Sequence, residues 1–318
     1  MDSDLMIAKL PQLKTWLMTD GKVVSLLVTM VIGAFIPQAQ ALTFMVQYLL
    51  MTMLFFAFLD LPAKKLSIHP GVIKVLIANL LLGIGWYFLF SLVDHELAMT
   101  AFIIAMAPTA ISSTVIVGFI RGKVDFMVAA VLLTNIVAAL VIPFILPNVV
   151  GTSVHISTWD VLFPVLITMF VPLILARLSA YLPERAQKAI RTGKKLSFLV
   201  WLSNLFIISA KASHFLINER SGSLILFFQV AGVALLICIV NFVIGAILGG
   251  KDYWQESSQA LGQKNTTFAI WIALAFMSPL VAMGPTIYTF FHHLYNTWQI
   301  YRFEKRKKEN LCQKQISA

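Results

Sequence analysis

Ser257-Ser258-Gln259-Ala260-Leu261-Gly262-Gln263-Lys264-Asn265-Thr266-Thr267 is a polar island in an otherwise apolar region, and Ala107-Pro108-Thr109-Ala110-Ile111-Ser112-Ser113-Thr114 is a second. Pro108 removes a backbone donor and clashes with the preceding turn, and Gly262 lowers the cost of leaving a helix. Each island therefore predicts an interrupted helix. Backbone groups exposed at membrane depth are tolerated only where they face protein or a water-filled cavity, so the two breaks together predict a binding site.

The membrane setting comes from the rest of the chain. Of 318 residues, 59% are hydrophobic and 12% charged, with mean hydropathy +0.86, whereas an average soluble domain is about a quarter charged. Apolar runs near 22–37, 41–60, 70–93, 125–147, 158–181 and 223–249 approach or exceed the roughly 20 residues that a spanning helix needs. Breaks at Pro, Gly and charge clusters divide the chain into ten segments, and the two islands fall in the fourth, at about 97–120, and the ninth, at about 253–277. No polar stretch between them is long enough for a soluble domain. The expected fold is an all-α polytopic membrane protein, with residues 1–318 forming one integral membrane domain.

Breaks five spans apart suggest a repeat of five helices, and an odd-numbered repeat inserts upside down the second time, as in many secondary transporters. Residues 1–150 are the expected first repeat and 151–301 the second, with 302–318 as a basic tail. Met1 to Asp20 reads as an amphipathic interfacial helix, because it has no h-region followed by small residues.

Ten spans place both termini on one side, and the basic residues test this, because they favour cytoplasmic loops. One set of loops, with both tails, holds 21 of the 24 Lys and Arg, among them Lys64, Lys65, Arg121, Lys123, Lys188, Arg191, Lys251 and Arg302. The other set holds Lys211 and Arg220, and Lys264 is left inside a span. The expectation is an inner (plasma) membrane protein with cytoplasmic termini. A net charge of +10 spread along one face matches anionic lipid head groups, so membrane lipids are the expected partner and nucleic acid is not. Nothing in the sequence sets an oligomeric state.

Lys264 carries the most information. At about 1.5 Å per residue, the run from Lys251 puts it near mid-membrane, too deep to snorkel easily. A charged Lys there costs from about 2.5 kcal/mol upward on insertion scales, and such residues usually face a cavity and mark a pathway. Asn265, Thr266 and Thr267 beside it argue for a polar pocket. The intramembrane amides Asn79, Asn135, Asn204, Gln229 and Asn241 can equally bond helix to helix, and Asn79 is the one assigned to the site. Asp60 and Asp125 read as helix-end residues. His292 and His293, beside Tyr288 and Tyr295, read as an interfacial stacking group, since no further ligands at metal spacing accompany them.

Over nearly its whole length the chain resembles the bile acid:sodium symporter superfamily. Gly262-Gln263-Lys264-Asn265-Thr266 is similar to that family's ninth-helix Gly-x-Gln-Asn-Ser signature. Pro108 to Thr114, followed by Arg121-Gly122-Lys123-Val124-Asp125, is similar to its Pro-Gly-Gly-x-x-Ser-Asn crossing and Lys-Gly-Asp turn. Asp60-Leu61-Pro62 to Pro70, leading to Ala78-Asn79-Leu80, stands where the family has its second-to-third helix turn and an Ala-Gln-Phe. The resemblance implies a core domain, in which helices four and nine cross at their unwound centres, beside a flatter panel domain. It also implies substrates among organic anions such as bile acids, sulfated steroids and small keto or hydroxy acids.

The family binds two sodium ions, and its ligands fall on residues here that mostly cannot serve. The crossing-helix Ser-Asn pair falls on Ser113 and Thr114, which keep oxygen. The fifth-helix Ser and Thr fall on Met127 and Val131, the ninth-helix Glu on Ala260, its Gln on Lys264, and the third-helix Gln on Asn79. Hard cations want several oxygen ligands and preferably a carboxylate, so two-sodium coupling is not expected. A small register shift would bring Glu256 or Gln259 towards the place of the missing carboxylate. In this reading Lys264 stands in for a sodium ion, and its amine can also exchange a proton during a cycle. The expected site is Asn79, Pro108, Ser112, Ser113, Thr114, Gly262, Gln263, Lys264, Asn265 and Thr266.

The expected function is secondary transport of a small organic anion by alternating access, with no cofactor. An uncoupled relative acting as uniporter, sensor or scaffold is the alternative. An enzyme would need a nucleophile with a base, or a metal cluster, within the spans, and the sequence presents neither; nor does it carry a Gly-Lys-Ser/Thr phosphate loop for ATP-driven pumping.

Overall fold

The computed structural model describes residues 25, 28–59, 68–151, 156–218 and 224–316, and every element among them is helical. The N-terminal segment 1–20 and the Asp60-Leu61-Pro62 turn lie outside the described residues. A first helix, α1, covers 28–35 and leads through a 3-10 turn, Pro37–Leu42, into α2 (Met45–Phe58). Then follow α3 (Pro70–Ser91), α4 (His95–Met106), α5 (Ser113–Phe119), α6 (Val124–Val150), α7 (Thr158–Leu178), α8 (Glu184–Gly193), α9 (Ser197–Asn218), α10 (Leu224–Gly262), α11 (Thr266–Phe276) and α12 (Pro279–Ile316).

Among the described residues, five helical stretches are long and apolar enough to cross a membrane: Pro70–Ser91, Val124–Val150, Thr158–Tyr181, Glu184–Phe215 and Ile225–Gly262. Large apolar side chains also point outward, with Phe35, Leu81, Phe88, Phe144 and Ile247 well exposed. A helix apolar all round needs lipid or protein on every side. The chain is therefore a multi-pass membrane protein.

The helix ends follow from local chemistry. Asp94 caps α4 by accepting from the amides of Glu96 and Leu97 at 2.8 and 3.0 Å, which satisfies donors that the first turn leaves over. Ser157 and Asp160 form a capping box at the start of α7. His69 caps α3, its Nδ1 accepting from the Gly71 amide at 3.0 Å.

α10 does not run straight. Gly250, at φ 60°, and Tyr253 leave the helical region and turn the chain back on itself. The left-handed φ favours glycine at 250. The returning strand of helix lies so close that a Cβ at Gly245 would sit 2.5 Å from the Ser257 carbonyl oxygen. The stretch 254–262 therefore packs antiparallel against the first part of α10 and carries the polar island that begins at Ser257 into the protein.

α2 lies against α7 and α9, and α4 and α10 each lie against α3 and α12, while α6 on α7 and α9 on α12 join the two sets. α11 touches members of both, packing on α12, α4 and α2. The largest apolar cluster includes Leu50 and Leu54 of α2, Phe102 and Met106 of α4, Ile142 of α6 and Phe268 of α11, so the two interrupted segments sit at the centre of the molecule.

Candidate functional site

α4 ends at Met106 and α5 begins at Ser113, while α10 ends at Gly262 and α11 begins at Thr266. The two interruptions meet. Ala110 N donates to the Gln263 carbonyl at 2.8 Å, and Asn265 N donates to the Pro108 carbonyl at 2.7 Å. Thr109 and Lys264 thus pair as an isolated antiparallel bridge.

Side chains from neighbouring helices complete the joint. Thr109 Oγ1 donates to the Ala260 carbonyl at 2.6 Å, and Thr109 N donates to Thr134 Oγ1 at 3.1 Å. Asn135 Nδ2 donates to the Thr109 carbonyl at 2.9 Å, and Tyr288 OH donates to the Gly262 carbonyl at 2.6 Å. Gly262 itself lies against the Phe242 ring with no room for a Cβ.

Breaking α4 at Pro108 leaves its last carbonyls without their usual donors four residues on. The amides of Thr109 and Ala110, which would have served Ala105 and Met106, are spent on Thr134 and Gln263. Lys264 and Asn79 fill the gap. Lys264 Nζ donates to the Ala105 carbonyl at 2.7 Å and also to Asn79 Oδ1, while Asn79 Nδ2 donates to the Met106 carbonyl at 3.1 Å. Lys264 is 1% exposed. Its ammonium stands at the C-terminal end of α4, where the helix dipole favours a positive charge.

A cavity of about 410 Å³ opens on the joint, between it and the α2–α9 wall that carries Phe56 and Trp201. Of the expected site residues, Ser112, Thr114, Lys264, Asn265 and Thr266 border this cavity, whereas Asn79, Pro108, Ser113, Gly262 and Gln263 do not. Asn265 caps α11, its Oδ1 accepting from Phe268 N at 3.2 Å, and Thr266 Oγ1 accepts from Thr289 Oγ1 at 2.7 Å. The N-terminal end of α11 therefore faces the cavity. Ser113 and Thr114 spend their hydroxyls on the carbonyls of Ala110 and Ile111 at 2.6 and 2.8 Å, and Gln263 Nε2 donates to Ser112 Oγ at 2.8 Å.

Three expectations change. His292 and His293 keep the expected ring contacts, His292 with Tyr288 at 5.6 Å and His293 with Trp201 at 5.3 Å, but they border the cavity instead of an interface, and His292 is 3% exposed. The reason is the helical register of α12, which turns His292 inward with Thr289. Glu256 stands away from Lys264, at the start of α6, where its Oε1 accepts from Lys123 N at 2.6 Å. Gln259 points at α12 instead, donating to Asn296 Oδ1 and Gln299 Oε1 at 2.9 and 2.6 Å. Thr109, Thr134 and Asn135 join the joint without having been assigned to it, since their partners are carbonyls that only the break makes available.

Met127 and Ala260 pack in an apolar cluster with Val72, Val75 and Phe126, and Val131 is fully buried. Around the positions that the resemblance assigns to sodium, the side chains are thus hydrocarbon or already bonded. No protein-family model and no curated protein sequence matches the chain.

Proposed function

We propose that the protein is a secondary transporter of a small organic anion in a plasma membrane, and a divergent member of the bile acid:sodium symporter superfamily. In this reading ten spans form two inverted five-helix repeats with both termini cytoplasmic. α3 to α6 and α10 to α12 make the core, α1, α2, α7 and α9 make the panel, and alternating access moves one against the other. The observation that carries it is the cavity between the α2–α9 wall and two helices broken at the same point. Unwound half-helices at a repeat interface are the usual substrate site of such transporters.

The anion preference rests on what borders the cavity: Lys264 at its back, the N-terminal end of α11, the hydroxyl of Thr266 and the amide of Asn265. Helix N-termini and donors suit a carboxylate or sulfate, while Phe56, Trp201 and Leu54 suit an apolar body. Coupling in this reading does not use two sodium ions. Lys264 holds the end of α4, and proton exchange or simple substrate exchange drives the cycle.

The test is uptake into proteoliposomes of radiolabelled cholate, a sulfated steroid and a 2-keto acid, with counterflow to separate transport from binding. Counterflow of at least one, abolished when the cavity is narrowed by Ser112→Trp, supports the reading. No counterflow with a wide panel of organic anions, from protein that stays folded, sinks it.

A further inference from the structure

Between α7 and α9, residues 184–195 carry the cations Arg185, Lys188, Arg191, Lys194 and Lys195 and the single acid Glu184. The preference of one membrane face for basic loops puts cations here but does not set their register. Lys188, Arg191 and Lys195 recur at three- and four-residue spacing, so they form a row on one face of α8 and the turn after it, and all three are exposed. Glu184 stands one turn before Lys188, but no acidic residue lies three or four positions from Arg191 or Lys195. Like charges at this spacing repel along a helix. The row calls for a counter-charge from outside the chain.

The three cations border an open recess of about 420 Å³, whose other edges are Glu184, Gln187 and Thr192. Its donors and acceptors are sorted. Gln187 Nε2 donates to the carbonyls of Ala180 and Leu182 at 3.0 and 2.8 Å, and Thr192 Oγ1 donates to the Lys188 carbonyl at 2.9 Å. The side-chain donors left to the recess are therefore the cations, while the oxygens of Glu184, Gln187 and Thr192 can only accept. The Arg191 fork between two ammoniums suits a phosphodiester, and the acceptors beside it suit hydroxyl groups.

Exposed apolar side chains bracket the recess, with Leu178, Tyr181 and Leu182 before it and Leu196 and Leu199 after it. In a multi-pass membrane protein such residues meet lipid, and tyrosine favours the level of the head groups. Lipid is thus the nearest source of a phosphodiester. The same segment continues into the wall of the cavity. Gly193 lies against the Phe56 ring, where a Cβ would be 3.5 Å from Cζ. Lys194, Ser197, Phe198 and Trp201, next along the chain, border the cavity together with Phe56.

We propose that residues 184–195 form a site for the head group of an anionic phospholipid that carries hydroxyls, as phosphatidylglycerol does, and that the bound lipid braces the adjoining wall of the cavity. The phosphodiester lies against Arg191 and its two flanking lysines, and the glycerol hydroxyls donate to the oxygens of Gln187, Thr192 or Glu184. The site is separate from the cavity and stands apart from any reading of what the cavity takes.

Native mass spectrometry of the full chain in detergent, titrated with phosphatidylglycerol, phosphatidic acid and phosphatidylcholine, measures binding, and thermal unfolding in the same lipids measures the bracing. Phosphatidylglycerol is expected to bind more tightly than either of the others and to raise the melting temperature. Arg191→Gln with Lys195→Gln should weaken its binding about tenfold or more, as cations near anionic lipid contribute on that scale, and should remove the thermal rise. The matched pair Arg306→Gln with Lys308→Gln in the basic tail should change neither. Equal weakening in both pairs means that charge anywhere suffices and overturns the site, as does no weakening in the first pair. Phosphatidic acid binding as tightly as phosphatidylglycerol overturns the hydroxyl contacts, and inorganic phosphate giving the same thermal rise overturns lipid as the occupant. Should the first pair not fold, Arg191→Lys, which keeps the charge and loses the fork, is expected to bind phosphatidylglycerol more weakly, and unchanged binding counts against the site. No measurement here involves transport, so the transporter reading and this site can fail independently.

Discussion

Lys264 Nζ and the carbonyl oxygen of Ala105 lie 2.7 Å apart, so a charged side chain from one interrupted helix completes the last turn of the other. The pair sits where a helix end in hydrocarbon would otherwise keep an unmet acceptor. Asn79 holds the same ammonium and bonds the next carbonyl along, that of Met106.

Replacing Lys264 by Met leaves Ala105 O and Asn79 Oδ1 without a donor, at about 1–3 kcal/mol for each buried group. A loss of that size lowers the melting temperature by several degrees, at about 2–4 °C per kcal/mol for a chain of 150–250 residues and less for a longer one. Thermal unfolding of the detergent-purified variant measures it, and counterflow of any substrate found is expected to be lost with membrane insertion intact. A variant as stable and active as wild type would remove Lys264 from the site.

Asn79→Leu should cost a similar amount, and the double variant with Lys264→Met should cost clearly less than the two single losses together. Contacting residues usually couple by about 0.5–3 kcal/mol. Strict additivity in the thermal unfolding cycle would mean that the two side chains do not share a task.

Sodium should not stabilise the wild-type protein. Thermal unfolding in NaCl and in KCl at equal ionic strength is expected to give the same melting temperature, because Met127, Val131 and Ala260 offer no side-chain oxygen to an ion. Lys264→Gln, which returns an oxygen, is the variant in which a partial sodium response is expected. Saturable sodium stabilisation of the wild type at low millimolar concentration would contradict this.

Gly262→Ala places a methyl group against the Phe242 ring. Overpacking of a tight core typically costs about 1–3 kcal/mol, and here it pushes on the backbone that pairs with Pro108 and Ala110. A lower melting temperature, relieved in the double variant Gly262→Ala with Phe242→Leu, is the expected result. Equal stability of Gly262→Ala and wild type would count against close packing at this point.

The two breaks were legible because Pro108 and a run of polar residues in apolar surroundings have no other comfortable place in a membrane. The cation at Lys264 was legible for the same reason, since an ammonium so far from Lys251 needs partners. Its particular partners were less so: Asn79 was readable as a nearby amide, but the Ala105 carbonyl became an acceptor only because the amides of Thr109 and Ala110 had gone elsewhere. Asn135 looked no different in sequence from Asn204 or Asn241. Adjacent hydroxyls at a break carry no periodic signal, and so nothing distinguished Ser112, which borders the cavity, from Ser113, which turns to its own backbone. The inward turn of His292 depends on the register of α12 against α10, which no local pattern records.

The main-chain pairing of Thr109 with Lys264 acts mechanically as a rivet. Its two bonds, Ala110 N to Gln263 O and Asn265 N to Pro108 O, are made by backbone atoms, so the fastening does not depend on which side chains occupy the joint. Four half-helices share it, and a push on the free end of any one is transmitted to the other three as rotation of a stiff frame rather than as bending of a single rod. Any large movement that keeps this frame intact must then be taken up elsewhere, in the helices and turns around it.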